Sequence, residues 1–243
     1  MHPMQRASST FVLLLCLLAT ACTQRAELAR ADAPSLTYVE RLTGGATKGE
    51  PLPLVIAIHG LGDRPEAFVQ VFDGLAVKAR LIAPRAPDPW GQGSSWFPLK
   101  DPVKLERAIR ARARAIVDLM QSLSRAHPSV GRPVVTGFSQ GGMLSFTLAA
   151  LHPQEIRASI PIAGRLPEGI SPAKPPAWLE VIALHGRADD RILFSAGEQS
   201  VQRLSGAGFR ARMHAFDGVG HTITAPMQRT LLTTLEDVLR RAP

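Results

Sequence analysis

The stretch Gly137-Phe138-Ser139-Gln140-Gly141-Gly142 constrains this chain more than any other. It is entered by the β-branched run Val134-Val135-Thr136 and left by Met143 to Leu151, a helix-length segment without glycine or proline. A serine at the tip of so tight a strand-to-helix turn sits on a strained backbone, and side chains two residues to either side would collide across it. Glycine at 137 and 141 removes those side chains. The turn presents the serine oxygen at the N-terminus of a helix, where free amides favour negative charge, and the Gln140 amide is placed to be one of them. A glycine-rich turn with an incidental serine has the same spelling, so the surrounding chain has to decide.

Upstream, Leu36 to Leu42 alternates loosely and reads as an edge strand, whereas Leu54-Val55-Ile56-Ala57-Ile58 is apolar throughout, as in a parallel strand covered on both faces. Its exit, His59-Gly60-Leu61-Gly62-Asp63, is a loop whose amides can converge on an anion, with Leu61 as a second donor. The alternative is a tight turn with His59 packed beneath it. Glu66 to Lys78 carries Phe68, Val71, Phe72 and Leu75 at helical spacing, and Leu81 to Pro84 reads as a short buried strand. Pro87 to Pro98 is a loop of breakers and aromatics in which Trp96 and Phe97 are expected to wall a substrate pocket and bind substrate, the alternative being that they plug the rim of the sheet. A helix from Asp101-Pro102 to about Arg125 precedes the serine turn, and a strand over Ala158 to Ile162 follows it. The segment from Gly164 to Ala177, with four prolines, is too short for a helical lid.

Trp178 to Leu184 reads as the next strand and leads into His185-Gly186-Arg187-Ala188-Asp189-Asp190. A helical stretch near Ser195 to Leu204 precedes a last strand, Ala211 to Phe216, which leads into Asp217-Gly218-Val219-Gly220-His221 before a terminal helix over 225–241. A carboxylate beyond a late strand and a histidine after a glycine-rich turn are the partners a serine nucleophile needs. Asp189 is the expected carboxylate, with Asp190 its competitor, and His221 the expected base, with His214 the alternative. The order Ser139, Asp189, His221, each after a separate strand, is that of the α/β-hydrolase fold. The expected architecture is a mostly parallel central sheet with helices on both faces and no large lid.

Taken together, His59-Gly60-Leu61-Gly62-Asp63, Ser95-Trp96-Phe97, Gly137 to Gly142, His185 to Asp189 and Gly220-His221 resemble the motifs of the phospholipase/carboxylesterase family, which includes acyl-protein thioesterases. The resemblance covers roughly Leu52 to Thr224. It implies a serine esterase or thioesterase with no cofactor and no metal, and it favours Asp189 over Asp190, because the family carboxylate stands four residues after the histidine of His-Gly.

The N-terminus points outside the cytoplasm. Arg6, the apolar run Phe11 to Ala19 and the small residues Ala19-Thr20-Ala21 read as a bacterial signal peptide over 1–21, and Cys22 follows as in a lipoprotein, a site for lipid attachment. Residues 22–34 would then be a tether and 35–243 a single catalytic domain. The only cysteines are Cys16 and Cys22, so no disulfide can staple the mature fold. The formal charge of +8 comes from scattered arginines, and Arg107, Arg110 and Arg114 lie on one face of a helix, the pattern of a solvated surface and not of a nucleic-acid patch. The expected product of these features is an exported esterase on small-molecule esters with small to medium acyl groups, touching a membrane only through the anchor. A serine peptidase or lysophospholipase on the same residues, or a non-catalytic ligand-binding lipoprotein, are the alternatives.

Overall fold

The all-apolar run at Leu54–Ile58 (β2) is explained by burial on two sides: Leu54, Ile56 and Ile58 enter one hydrophobic core and Val55 and Ala57 the other. The structure, a computed structural model, describes residues 36–241. The expected signal segment 1–21 and tether 22–34, including Cys22, lie outside the described residues.

Seven strands form the central sheet in the order β1-β3-β2-β6-β7-β8-β9. They are β1 (Tyr38–Thr43), β2, β3 (Ala79–Pro84), β6 (Val134–Phe138), β7 (Ala158–Ile162), β8 (Glu180–Gly186) and β9 (Arg210–Phe216). The β1 edge runs antiparallel to β3, and every other pairing is parallel. A small hairpin, β4 (Asp88–Trp90) and β5 (Gly93–Ser95), occupies the expected loop before Trp96. Helices α2 (Pro102–Ala126) and α4 (Phe194–Gly206) cover one face, and α1 (Pro65–Phe68) and α5 (Ala225–Arg240) the other. This is the α/β-hydrolase architecture. Each fully buried aliphatic side chain in these cores contributes about 1.5–3 kcal/mol.

Local chemistry sets the element ends. Asp101 caps α2 by accepting from the Val103 and Lys104 amides, with Pro102 in the first turn, where a missing N–H costs nothing. The helix expected over Glu66 to Lys78 is cut short: α1 passes into a 3₁₀ turn at Val69–Phe72, and Gly74 then takes φ +88°, a conformation that ends the helix. β8 starts two residues later than expected and runs on to Gly186, because Trp178 stays outside the sheet, 43% exposed, under the Arg132 guanidinium. The proline-rich stretch after β7 holds no helix. Arg203 of α4 fastens it by donating to the carbonyls of Leu166, Pro167, Glu168 and Ile170.

Candidate active site

Ser139 leaves β6 with φ 57° and ψ −113°, a conformation that non-glycine residues rarely adopt and that persists only where neighbours enforce it. Here they do. The Ser139 amide donates to the Ile162 carbonyl of β7, and the Ser139 carbonyl accepts from Met143 in the first turn of α3 (Gln140–Leu151). A Cβ on Gly141 would stand 1.9 Å from the Ile58 carbonyl oxygen and one on Gly137 2.6 Å from the Gly141 backbone, which is why both flanks of the turn are glycine.

His221, in the loop beyond β9, lies with Nε2 2.9 Å from Ser139 Oγ and Nδ1 2.8 Å from Asp189 Oδ2. Its ring packs on Phe138 at 4.9 Å. Asp189 is buried, and its other oxygen accepts from the Arg191 and Ile192 amides, each at 2.9 Å. Burial by itself pushes the Asp189 carboxyl up, but the hydrogen bonds from His221 and from the Ile192 and Arg191 amides outweigh it and hold the group below the usual carboxylate range. An ionised Asp189 makes His221 Nδ1 the donor of that pair and leaves Nε2 to accept from the serine hydroxyl. Asp190 is exposed, and His214 sits on β9 accepting from Arg212, so neither competitor joins the group.

Leu61 and Gln140 both line the cleft over Ser139, and no acceptor among the described residues takes either amide. The expectation for Trp96 and Phe97 is corrected. Both are buried, at 0% and 1% exposure, and neither lines the cleft. The Trp96 indole donates to the His59 carbonyl at 3.0 Å, which draws the ring beneath the β2 exit. The Gln140 side chain completes the plug by accepting from the Trp96 amide (2.9 Å) and donating to the Phe97 carbonyl (2.8 Å). That bracing role of Gln140 went unread in the sequence, where only its amide drew notice.

The cleft itself encloses about 790 Å³ and is lined by Leu61, Leu99, Phe138, Met143, Arg165 and Arg191 around Ser139 and His221. His185, which in the sequence serves only to mark Asp189 four residues on, donates from Nε2 to the Ile192 carbonyl (2.8 Å), and that nitrogen lies 3.3 Å from Asp189 Oδ2. Among the described residues, no group of three or more His, Cys, Asp or Glu could hold a metal ion.

A serine, histidine and carboxylate hydrogen-bonded in series at the C-terminal edge of such a sheet define an α/β-hydrolase-type site. The chain belongs to the phospholipase/carboxylesterase family, whose model matches residues 46–239. It is 27% identical over 194 residues to a probable carboxylesterase of rice (Oryza sativa subsp. japonica), covering 70% of this chain and 71% of that protein. It is also 26% identical over 198 residues to a probable inactive carboxylesterase of the same plant, covering 70% and 78%. Among solved structures, esterase PE8 superimposes with a TM-score of 0.70 at 24% identity, over 82% of this chain and 100% of that one, a likeness of fold.

Proposed function

We propose that this protein is a serine esterase that hydrolyses carboxylic esters through Ser139, His221 and Asp189. The observation that carries the reading is the continuous relay from Ser139 Oγ through His221 to Asp189, at 2.9 and 2.8 Å, opening on a cleft. Relatives of this family carry both active and inactive names, and an inactive domain has no need of three groups held in register.

In this mechanism Ser139 Oγ attacks the acyl carbon as His221 Nε2 takes its proton. Asp189 holds the imidazole in the right tautomer and stabilises its positive charge. The oxyanion forms against the Leu61 and Gln140 amides, each such donor contributing about 2.7–4 kcal/mol to the transition state. Collapse expels the alcohol, which takes the proton from Nε2. Water then attacks the acyl-enzyme with His221 again as base, releasing the acid. The cleft is open and has few aromatics, which suits small to medium acyl groups. Export through residues 1–21 with lipid attachment at Cys22 belongs to the same reading, and a mature N-terminus with an unmodified Cys22 in mass spectrometry would remove the anchor from it.

The test is hydrolysis of p-nitrophenyl esters from acetate to palmitate, beside Ser139→Ala. The variant is expected to retain only the contribution of binding and oxyanion stabilisation, about 10³–10⁴ over water. A fluorophosphonate is expected to label Ser139 alone. Equal inertness of wild type and variant, with no labelling, would leave a ligand-binding domain.

A further inference from the structure

About half of the arginines among the described residues pair with a carboxylate, as Arg85 does with Glu66, Arg112 with Asp88 and Arg187 with Asp217. Two that line the cleft around Ser139 do not. Among the described residues, neither the Arg165 nor the Arg191 side chain has a hydrogen-bond or ion-pair partner.

Their backbones are fixed to the catalytic elements. Arg165 follows Gly164, which stands so close to the first turn of α3 that an added Cβ would meet the Gly142 backbone at 2.5 Å. Arg191 donates its amide to the carboxylate of Asp189 at 2.9 Å. Both arginines therefore emerge beyond β7 and β8, on one side of the serine at the tip of β6. On the other side, beyond β2, the cleft offers Leu61 and Asp63. The remaining wall is apolar, with Leu99, Leu105, Phe138 and Met143. The cleft thus has a positive end and a negative end across an apolar middle. Uncompensated charges of one sign in a concave site raise the local concentration of the opposite charge, and the planar guanidinium fork matches an oxyanion group in two-point hydrogen bonding.

We propose that Arg165 and Arg191 select an ester that carries a second, anionic group and orient it with that group toward the β7–β8 end of the cleft. The proposal rests on the serine-esterase reading, and its test separates the two.

The full-length protein is assayed on mono-p-nitrophenyl adipate against p-nitrophenyl hexanoate, acyl chains of equal length that differ in a terminal carboxylate. A second pair, 4-carboxyphenyl against 4-carbamoylphenyl hexanoate, moves the charge to the leaving alcohol. In one of the pairs the charged ester is expected to have about tenfold higher kcat/KM at low salt, carried mainly by KM and shrinking as ionic strength rises. Arg165→Gln and Arg191→Gln are each expected to reduce that ratio several-fold. Arg107→Gln, the same change of charge on the exposed outer face of α2, is expected to keep it.

A ratio near one in both pairs overturns the proposal, as does a loss in Arg107→Gln equal to that in the cleft variants. Calorimetric titration of Ser139→Ala with the same esters reads selection without turnover. Tighter binding of the charged ester, lost in Ser139→Ala/Arg165→Gln, supports the proposal even if the wild type hydrolyses nothing, in which case the esterase reading alone falls. Equal binding of both esters overturns the proposal and leaves the esterase reading standing.

Discussion

Two loops of this protein share one spelling. His59-Gly60-Leu61-Gly62-Asp63 leaves β2 and His185-Gly186-Arg187-Ala188-Asp189 leaves β8, each with an aspartate four residues after a buried histidine. At the first, His59 Nδ1 donates to the Gly60 carbonyl (2.7 Å) and Nε2 accepts from the Ala86 amide (3.2 Å), while Asp63 remains at the cleft edge accepting from the Arg64 amide. At the second, His185 lies beside Asp189, and Asp189 accepts from His221. What differs is the segment that returns over each loop. The β4–β5 hairpin comes back over the first, with Gly62 donating to the Ser94 carbonyl and Ser94 to that of Asp63. The loop after β9 comes back over the second, with Ala188 donating to the Val219 carbonyl, and brings His221 with it. A strand-exit motif fixes a backbone shape, and the long-range partner decides which of its side chains joins the hydrogen-bonded group at Ser139.

The comparison is broken hardest at the two aspartates. Asp189→Asn is expected to lower kcat by roughly 10⁴, because the amide no longer enforces the His221 tautomer, whereas Asp63→Asn is expected to change it less than about tenfold. If the two variants lose activity alike, the loops are more equivalent than their partners indicate. The histidines come next. His59→Ala and His185→Ala each open a cavity and strand a buried polar partner, so each is expected to cost about 2–4 kcal/mol in denaturant unfolding. In the His185 variant alone, kcat is expected to fall as well, since Asp189 loses a neighbour that holds it in place.

The smallest effect is on pH dependence. Burial holds both His59 and His185 below the ordinary histidine range, ahead of the smaller upward pull of their hydrogen bonds. The unfolded chain therefore takes up protons near the ordinary value of about 6.5 that the folded one refuses, and stability falls as pH drops below that value. Asp189, also held low, has the same sign in a lower window: its contribution is present above the usual carboxylate pKa of about 3.9 and is lost only as pH falls through and below it. Melting temperature recorded from pH 7 to 5 is expected to decline, and His59→Gln or His185→Gln to flatten the decline.

The sequence carried the frame of the molecule because the frame is written in local patterns. The unbroken apolar run of β2, the Pro102 start of α2 and the glycines around Ser139 each have a short-range cause. The candidate relay was legible as chain order, Ser139 then Asp189 then His221. Choosing Asp189 over Asp190 by contact needed the fold, since adjacent residues differ only in which way the loop turns them. Trp96 and Phe97 were misread for a related reason: an aromatic pair after a strand can face the cleft or the core, and a hydrogen bond to the distant His59 carbonyl decides it. Arg165 and Arg191 passed unremarked among scattered arginines, because an unpaired charge is defined by partners far along the chain.

The clasp of Arg203 on residues 166 to 170 has a kinetic meaning. Four carbonyls held by one guanidinium tie down the segment beside the site, so among the described residues this stretch does not have to lift before an ester reaches Ser139. Enzymes whose flaps open at an oil–water boundary speed up abruptly once their substrate aggregates. This one is expected to follow the concentration of dispersed ester smoothly, and velocity measured across the critical micelle concentration should rise to saturation with no jump.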